Sequence, residues 1–333
     1  MLAGNSHEAI DVGVDALELA RQFADERLEA RVLITLGTAR GHSGLEDSLS
    51  LPRGIEIAER ANAMTEYVRG TNNLAQERLV AGDTAGTAEL YDTALERVDR
   101  IGLTSGLAWM LGMRMSLMYY TGEWDRLEPL AERYRSLIAR MPGHYLEHQL
   151  AAIEADIMSA RGEPGAEPAW AHAIELCRTA GDPQAIGPPL SYRARVLFDE
   201  GRLAEVVPLV DEVLALRDEH GAALYYTWLI SLSWLLVDLG REAEMPSADR
   251  GGAWLEVAEA IVRGDLVAAA QELERIGLRP FEAYTRLRIA EQLAAQGRTD
   301  EAAEQRDRAL AFYRAVGATV YVRRAEALLP ASA

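Results

Sequence analysis

The string His144-Tyr-Leu-Glu-His148 has the H-x-x-E-H spacing of the inverted zinc-protease motif, in which two histidines hold the metal and the glutamate acts as base. On a helix, positions four apart share a face, as a metal ion requires of its ligands. The string directly follows Met141-Pro142-Gly143, where a helix opens and polar side chains face solvent, and nothing singles out a third ligand among 52 carboxylates. A metal-dependent hydrolase is therefore a remote alternative, and no catalytic residue, metal or cofactor is assigned. Cys177, in AIELCRTAG, occupies a position that wants a small apolar residue and reads as a core thiol.

Other chemistries lack their residues. All 34 basic side chains are arginine, so mechanisms that need an ε-amine, such as a Walker-A loop, a kinase-type lysine or a pyridoxal Schiff base, are excluded. A single cysteine excludes intrachain disulfides and cysteine-based zinc clusters. A net charge of -18 removes the basic face that nucleic acids demand. There is no apolar run of about 18 residues for a membrane span. The opening MLAGNSHEAIDVG carries no secretory signal pattern, so a cytoplasmic location is expected.

What the chain does contain is repetition. Glycine followed by a polar residue recurs at Gly82-Asp83, Gly122-Glu123, Gly162-Glu163, Gly201-Arg202 and Gly240-Arg241, with steps of 40, 40, 39 and 39. Gly44 extends the series upstream, and Gly264-Asp265 and Gly297-Arg298 continue it. Each glycine lies between two stretches of helical periodicity, where a left-handed residue would end the first helix. Small residues (Ala75, Ala155, Ala194, Ser233, Ala290) recur where paired helices would cross closely. Behind the glycines, Tyr91 and Ala94, Val206 and Val210, and Ala302 and Ala309 form inward stripes. The pattern predicts seventeen helices and no sheet over residues 1–333, interrupted at 45–54 and 241–252. The second interruption, with Pro, Ser and two Gly, could mark a joint between sub-arrays 1–245 and 246–333.

This helix, Gly-polar turn, helix pattern resembles the tetratricopeptide (TPR) repeat, with a period near 40 rather than 34. The resemblance implies an all-α, right-handed α-α superhelix of about eight TPR-like helix pairs. Residues 278–333, LRPFEAYTRLRIAEQLAAQGRTDEAAEQRDRALAFYRAVGATVYVRRAEALLPASA, resemble the C-terminal end of actinobacterial signalling proteins that carry adenylate/guanylate-cyclase and AAA-type ATPase domains before a helical superhelix. LuxR-type regulators with an ATPase core share that region but finish in a helix-turn-helix, which does not follow here. The resemblance implies a non-catalytic region of a larger signalling protein, interacting with a protein or peptide partner or with upstream ATPase/cyclase domains of the same chain. A free-standing TPR sensor holding a small peptide or ligand is the alternative.

In such an array the first helix of each pair lines the concave side. Fixed offsets back from the glycines then select groove candidates: Arg69, Asn72, Gln76, Trp109, Ser116, Tyr119, Asp156, Arg195 and Trp234. Aromatic and arginine side chains suit a protein surface. Met110, Met113, Met115 and Met118 occupy more than one face of their helix and read equally as core or as an adaptable groove.

The first helix, 7–24, is unusual. Asp11, Asp15, Glu18 and Gln22 crowd one sector, while Ile10, Val14 and Leu17 lie nearly opposite Val12, Ala16, Leu19 and Phe23. Its apolar arc, about 220°, far exceeds the stripe of a surface helix. The last helix has an arc of only about 120° through Tyr321, Val322, Ala325, Leu328 and Leu329. Residues 7–24 are therefore expected to behave as an interior helix of a longer chain, exposing apolar surface that invites self-association.

Overall fold

The computed structural model describes residues 6–45, 47–141, 143–220, 226–246 and 251–328. Among the described residues the fold is all-α: seventeen α-helices, three short 3-10 turns and no strand. The chain divides into two compact units. The first comprises Met1–Arg114 with the short segments His220–Ala223 and Ser247–Gly252, and the second comprises Met115–Glu219, Leu224–Pro246 and Ala253–Ala333. The chain changes unit at Arg114/Met115 and again on either side of the short segments, one of which, Ser247–Gly252, lies in the interval 241–252 where the sequence pattern places a joint; residues 247–250 lie outside the described residues.

In the first unit, α1 (Ser6–Gln22), α2 (Glu26–His42), α3 (Ser50–Arg60), α4 (Met64–Val80) and α5 (Thr84–Arg100) pack in sequence, each on the next. Close approach is made possible by glycine inside the helices. A Cβ on Gly13 would come within 2.6 Å of Leu36, and one on Gly54 within 2.7 Å of Ile34. Glycine in a helix interior costs roughly 1 kcal/mol of intrinsic propensity, which the closer contact offsets. α6 (Thr104–Thr121) contains the division between the units.

The second unit continues with α7 (Leu127–Ile138), α8 (Glu147–Arg161), α9 (Ala166–Ala180), α10 (Pro183–Asp199), α11 (Leu203–His220) and α12 (Leu229–Asp238). It ends with α13 (Ala253–Val262), α14 (Leu266–Ile276), α15 (Arg279–Ala295), α16 (Thr299–Ala315) and α17 (Thr319–Leu328). The helix expected over 222–239 begins, among the described residues, as a 3-10 turn at Tyr226–Trp228; residues 221–225, like Leu329, lie outside them. The short links between successive helices make their packing antiparallel. Next-but-one helices also touch (α8 with α10, α10 with α12, α15 with α17), and α17 packs on the distant α8.

All eight repeat glycines adopt positive φ. At Gly162 (φ 71°) the left-handed residue ends α8, with its N–H donated to the Ser159 carbonyl and the Glu163 N–H to that of Met158. A second series of positive-φ residues, Ala24, Asn62, Gly102, Gly181, Gly277 and Gly317, follows the ends of α1, α3, α5, α9, α14 and α16, and Gly143 lies in the link after α7. Aspartate carboxylates then open the next helix, Asp83 accepting from the Gly86 N–H at 2.8 Å and Asp182 from the Gln184 N–H at 2.9 Å. Ala75, Ala155, Ala194, Ser233 and Ala290 are completely buried at helix crossings, as their size and spacing require.

Candidate functional site

The nine groove candidates separate by unit. In the first, Arg69 donates to the Arg31 carbonyl (2.8 Å) and the Thr35 hydroxyl (3.2 Å) and pairs with Glu66 (3.2 Å). Burial holds its pKa below the ordinary arginine value, partly countered by Glu66. The Asn72 amide lies 3.5 Å from the Asn73 side chain, and the Gln76 amide donates to the Tyr91 hydroxyl at 2.9 Å. These three, and Trp109, are half-buried.

In the second unit, Tyr119, Asp156, Arg195 and Trp234 come together around one cavity. The offset of six residues before each glycine selects Asp156 on α8, Arg195 on α10 and Trp234 on α12, so the repeat does stack equivalent positions. The expectation of an open face at these positions is corrected. Tyr119, Asp156 and Trp234 are only 2–3 % exposed, because α15, α16 and α17 of the same unit supply the opposite wall through Phe281, Tyr284, Phe312, Tyr313 and Tyr321. Ser116 is also buried.

The charges inside are fully engaged. Asp156 accepts from the Tyr119 hydroxyl and from the Arg195 guanidinium, each at 2.6 Å. Arg195 also donates to the Tyr321 hydroxyl, which donates to Asp199 at 2.9 Å. Asp199 accepts further from Tyr284 (3.1 Å) and Arg324 (2.7 Å), and Arg324 grips Glu291 with two hydrogen bonds. Arg288 sits 4.7 Å from the ring centroid of Trp234 and bonds Asp238. Burial opposes the Arg195 charge, yet the Asp156 carboxylate and its other neighbours hold its pKa well above the ordinary value. Burial, then Asp156, raises the Tyr119 pKa, and burial raises that of Tyr321, so both hydroxyls remain protonated donors. Such a network fixes side chains in place.

The sequence projection missed Asp199, Tyr284, Tyr321, Arg288 and Arg324. Asp199, two before Gly201, and Arg288, nine before Gly297, match none of the offsets of 13, 10, 6 and 3. Tyr284 lies thirteen before Gly297, past the five glycines from Gly82 to Gly240, and Tyr321 and Arg324 lie on α17, after the last repeat glycine. The Arg195-x-x-x-Asp199 spacing, which brings the two side chains onto one helix face, was the available signal.

The His144–His148 pair forms no metal centre in this geometry. His144 precedes α8 rather than lying within it, and its Nδ1 is bonded to the Tyr134 hydroxyl at 2.8 Å. His148 is buried with its ring edge-on to Tyr145. Burial lowers both histidine pKa values. Among the described residues no group of three or more His, Cys, Asp or Glu side chains is placed to hold a metal ion. Cys177 is fully buried, its thiol pKa pushed up to about 11 by burial, and it donates to the Ile174 carbonyl. Met110, Met115 and Met118 are core and Met113 is half-buried.

The apolar surface lies elsewhere. Of eleven large hydrophobic residues that are exposed among the described residues, seven fall between Val12 and Leu49. Gly13 and Ala20 turn α1 onto α2, leaving Val12 (62 % exposed), Leu19 (52 %) and Phe23 (75 %) in one line on the outer side. Glu8, Asp11, Asp15 and Glu18 border that line and are exposed. No helix among the described residues is long and apolar enough to cross a membrane.

No protein-family model matches this chain, and the search of curated proteins also returns no match.

Proposed function

We propose that this chain is a non-catalytic, TPR-like helical scaffold that acts by binding protein, as a region of a signalling protein of the cyclase–ATPase kind, in the cytoplasm. The observation that carries the reading is the outer face of α1. Val12 and Leu19 on α1, with Phe23 just past its end, form an exposed apolar row, and rows of that kind mark interaction sites. The dense internal pairing of Asp156, Arg195 and Asp199 supports a structural role for those residues over a catalytic one. It also disfavours the sensor alternative in its original form, since a peptide would have to displace α15–α17 to reach them.

The simplest occupant of the α1 face is a second copy of the chain. Sedimentation velocity over a concentration series should show reversible association of the intact protein, abolished by Leu19→Glu with Phe23→Glu. Both residues are exposed, so the double variant should remain folded. A sedimentation coefficient that is constant with concentration and unaffected by the substitutions would refute α1 as a self-association surface.

A further inference from the structure

Four buried side-chain polar atoms of the second unit have no hydrogen-bond partner within the protein, and three of them belong to residues that line one cavity: Ser231 Oγ and Trp234 Nε1 on α12, and Tyr313 OH on α16; the fourth, Thr285 Oγ1, is not part of its lining. The three lining residues are 1 %, 2 % and 2 % exposed. Leaving one such group unsatisfied costs about 1–3 kcal/mol. Three orphans around one space is a pattern that calls for an occupant.

The chemistry of the lining narrows what that occupant is. An indole N–H only donates, so the occupant must accept a hydrogen bond; hydroxyls donate or accept, so it can do either toward Ser231 and Tyr313. The only charged side chains of the lining, Asp156 and Arg195, are paired with each other at 2.6 Å. No uncompensated charge remains to hold an ion. The occupant is therefore neutral. The cavity volume is about 30 Å³. A water needs roughly 10–15 Å³ of such volume, so there is space for one or two waters and not for a drug-sized molecule.

We propose that the cavity is a built hydration site in which one or two ordered waters accept from Trp234 Nε1 and bond the Ser231 and Tyr313 hydroxyls, joining α12 to α16. The aromatic wall would otherwise favour a dry cavity. Three polar groups are within the range of partners that hold a buried water.

The test is a high-resolution crystal structure of the full chain, grown without small organic additives. Compact density within about 2.7–3.2 Å of Trp234 Nε1, with a hydroxyl of Ser231 or Tyr313 in reach, is the expected result. Two outcomes would overturn the proposal: no density beside the indole nitrogen, or density larger than two waters, which would instead identify a co-purified small molecule. In solution, selective ¹⁵N-tryptophan labelling gives a second readout. The Trp234 indole, assigned by its loss in Trp234→Phe or by its shift in Ser231→Ala, should show cross-relaxation with long-lived water. Its absence would count against the site even if no crystal is obtained.

Discussion

Replacing Arg195 by methionine removes the guanidinium and keeps most of the side chain's length. In the folded protein Asp156 would retain the Tyr119 hydroxyl but lose its ion-pair partner at 2.6 Å, in a site where the two side chains are 12 % and 4 % exposed. Asp199 would lose a weaker partner at 3.8 Å and keep Arg324. Stranding one member of a buried pair costs about 3–5 kcal/mol. The hydrogen bonds that Asp156 and Asp199 keep put Arg195→Met at the lower end, about 3 kcal/mol. For a unit of this size each kcal/mol moves the melting temperature by about 2–4 °C, so thermal unfolding followed by circular dichroism should drop by about 6–12 °C. Arg195→Met combined with Asp156→Leu should recover part of the loss, because the uncompensated charge is gone. A single variant that melts within about 2 °C of the parent while losing partner binding would refute the reasoning and restore Arg195 as a groove residue.

Association through α1 should strengthen as salt rises from low ionic strength, because Glu8, Asp11, Asp15 and Glu18 border the apolar row and like charges repel until screened; sedimentation at two salt concentrations checks this. Urea unfolding should report falling stability as pH drops below 6.5. His144 and His148 have folded pKa values depressed by burial, so their contribution is present above the unfolded value and is lost on acidification through the lower folded values. The His144→Gln, His148→Gln protein should show a shallower pH dependence over that window. Cys177, fully buried with a raised pKa, should react with a thiol reagent slowly in the native protein and at the rate of an ordinary cysteine in denaturant.

The helices were legible in the sequence because the periodic glycines mark turns that only a left-handed residue closes easily. The second series of turns was harder to see, since Ala24 and Asn62 take positions that glycine fills elsewhere. The stacked column Asp156, Arg195, Trp234 was also legible, because a repeat brings equal offsets together. That its face is covered was not. Coverage depends on α17 returning to pack on α8 and on Tyr321 reaching Arg195 from 126 positions away, and local periodicity carries no information about a contact at that separation. The His144–His148 spacing, a remote alternative in the sequence, gives ligand geometry only on a continuous helix, and α8 begins at Glu147. The apolar excess of α1 was visible on a helical wheel, and the exposed row Val12, Leu19, Phe23 matches one side of it.

Hydrogen–deuterium exchange read by mass spectrometry, comparing dilute with concentrated protein, tests the central claim most directly because it locates the surface as well as detecting association. The account predicts added protection at high concentration confined to peptides from residues 7–24, with 147–161 and 183–199 unchanged. Protection appearing in 147–161 and 183–199 instead, with 7–24 unaffected, would contradict it.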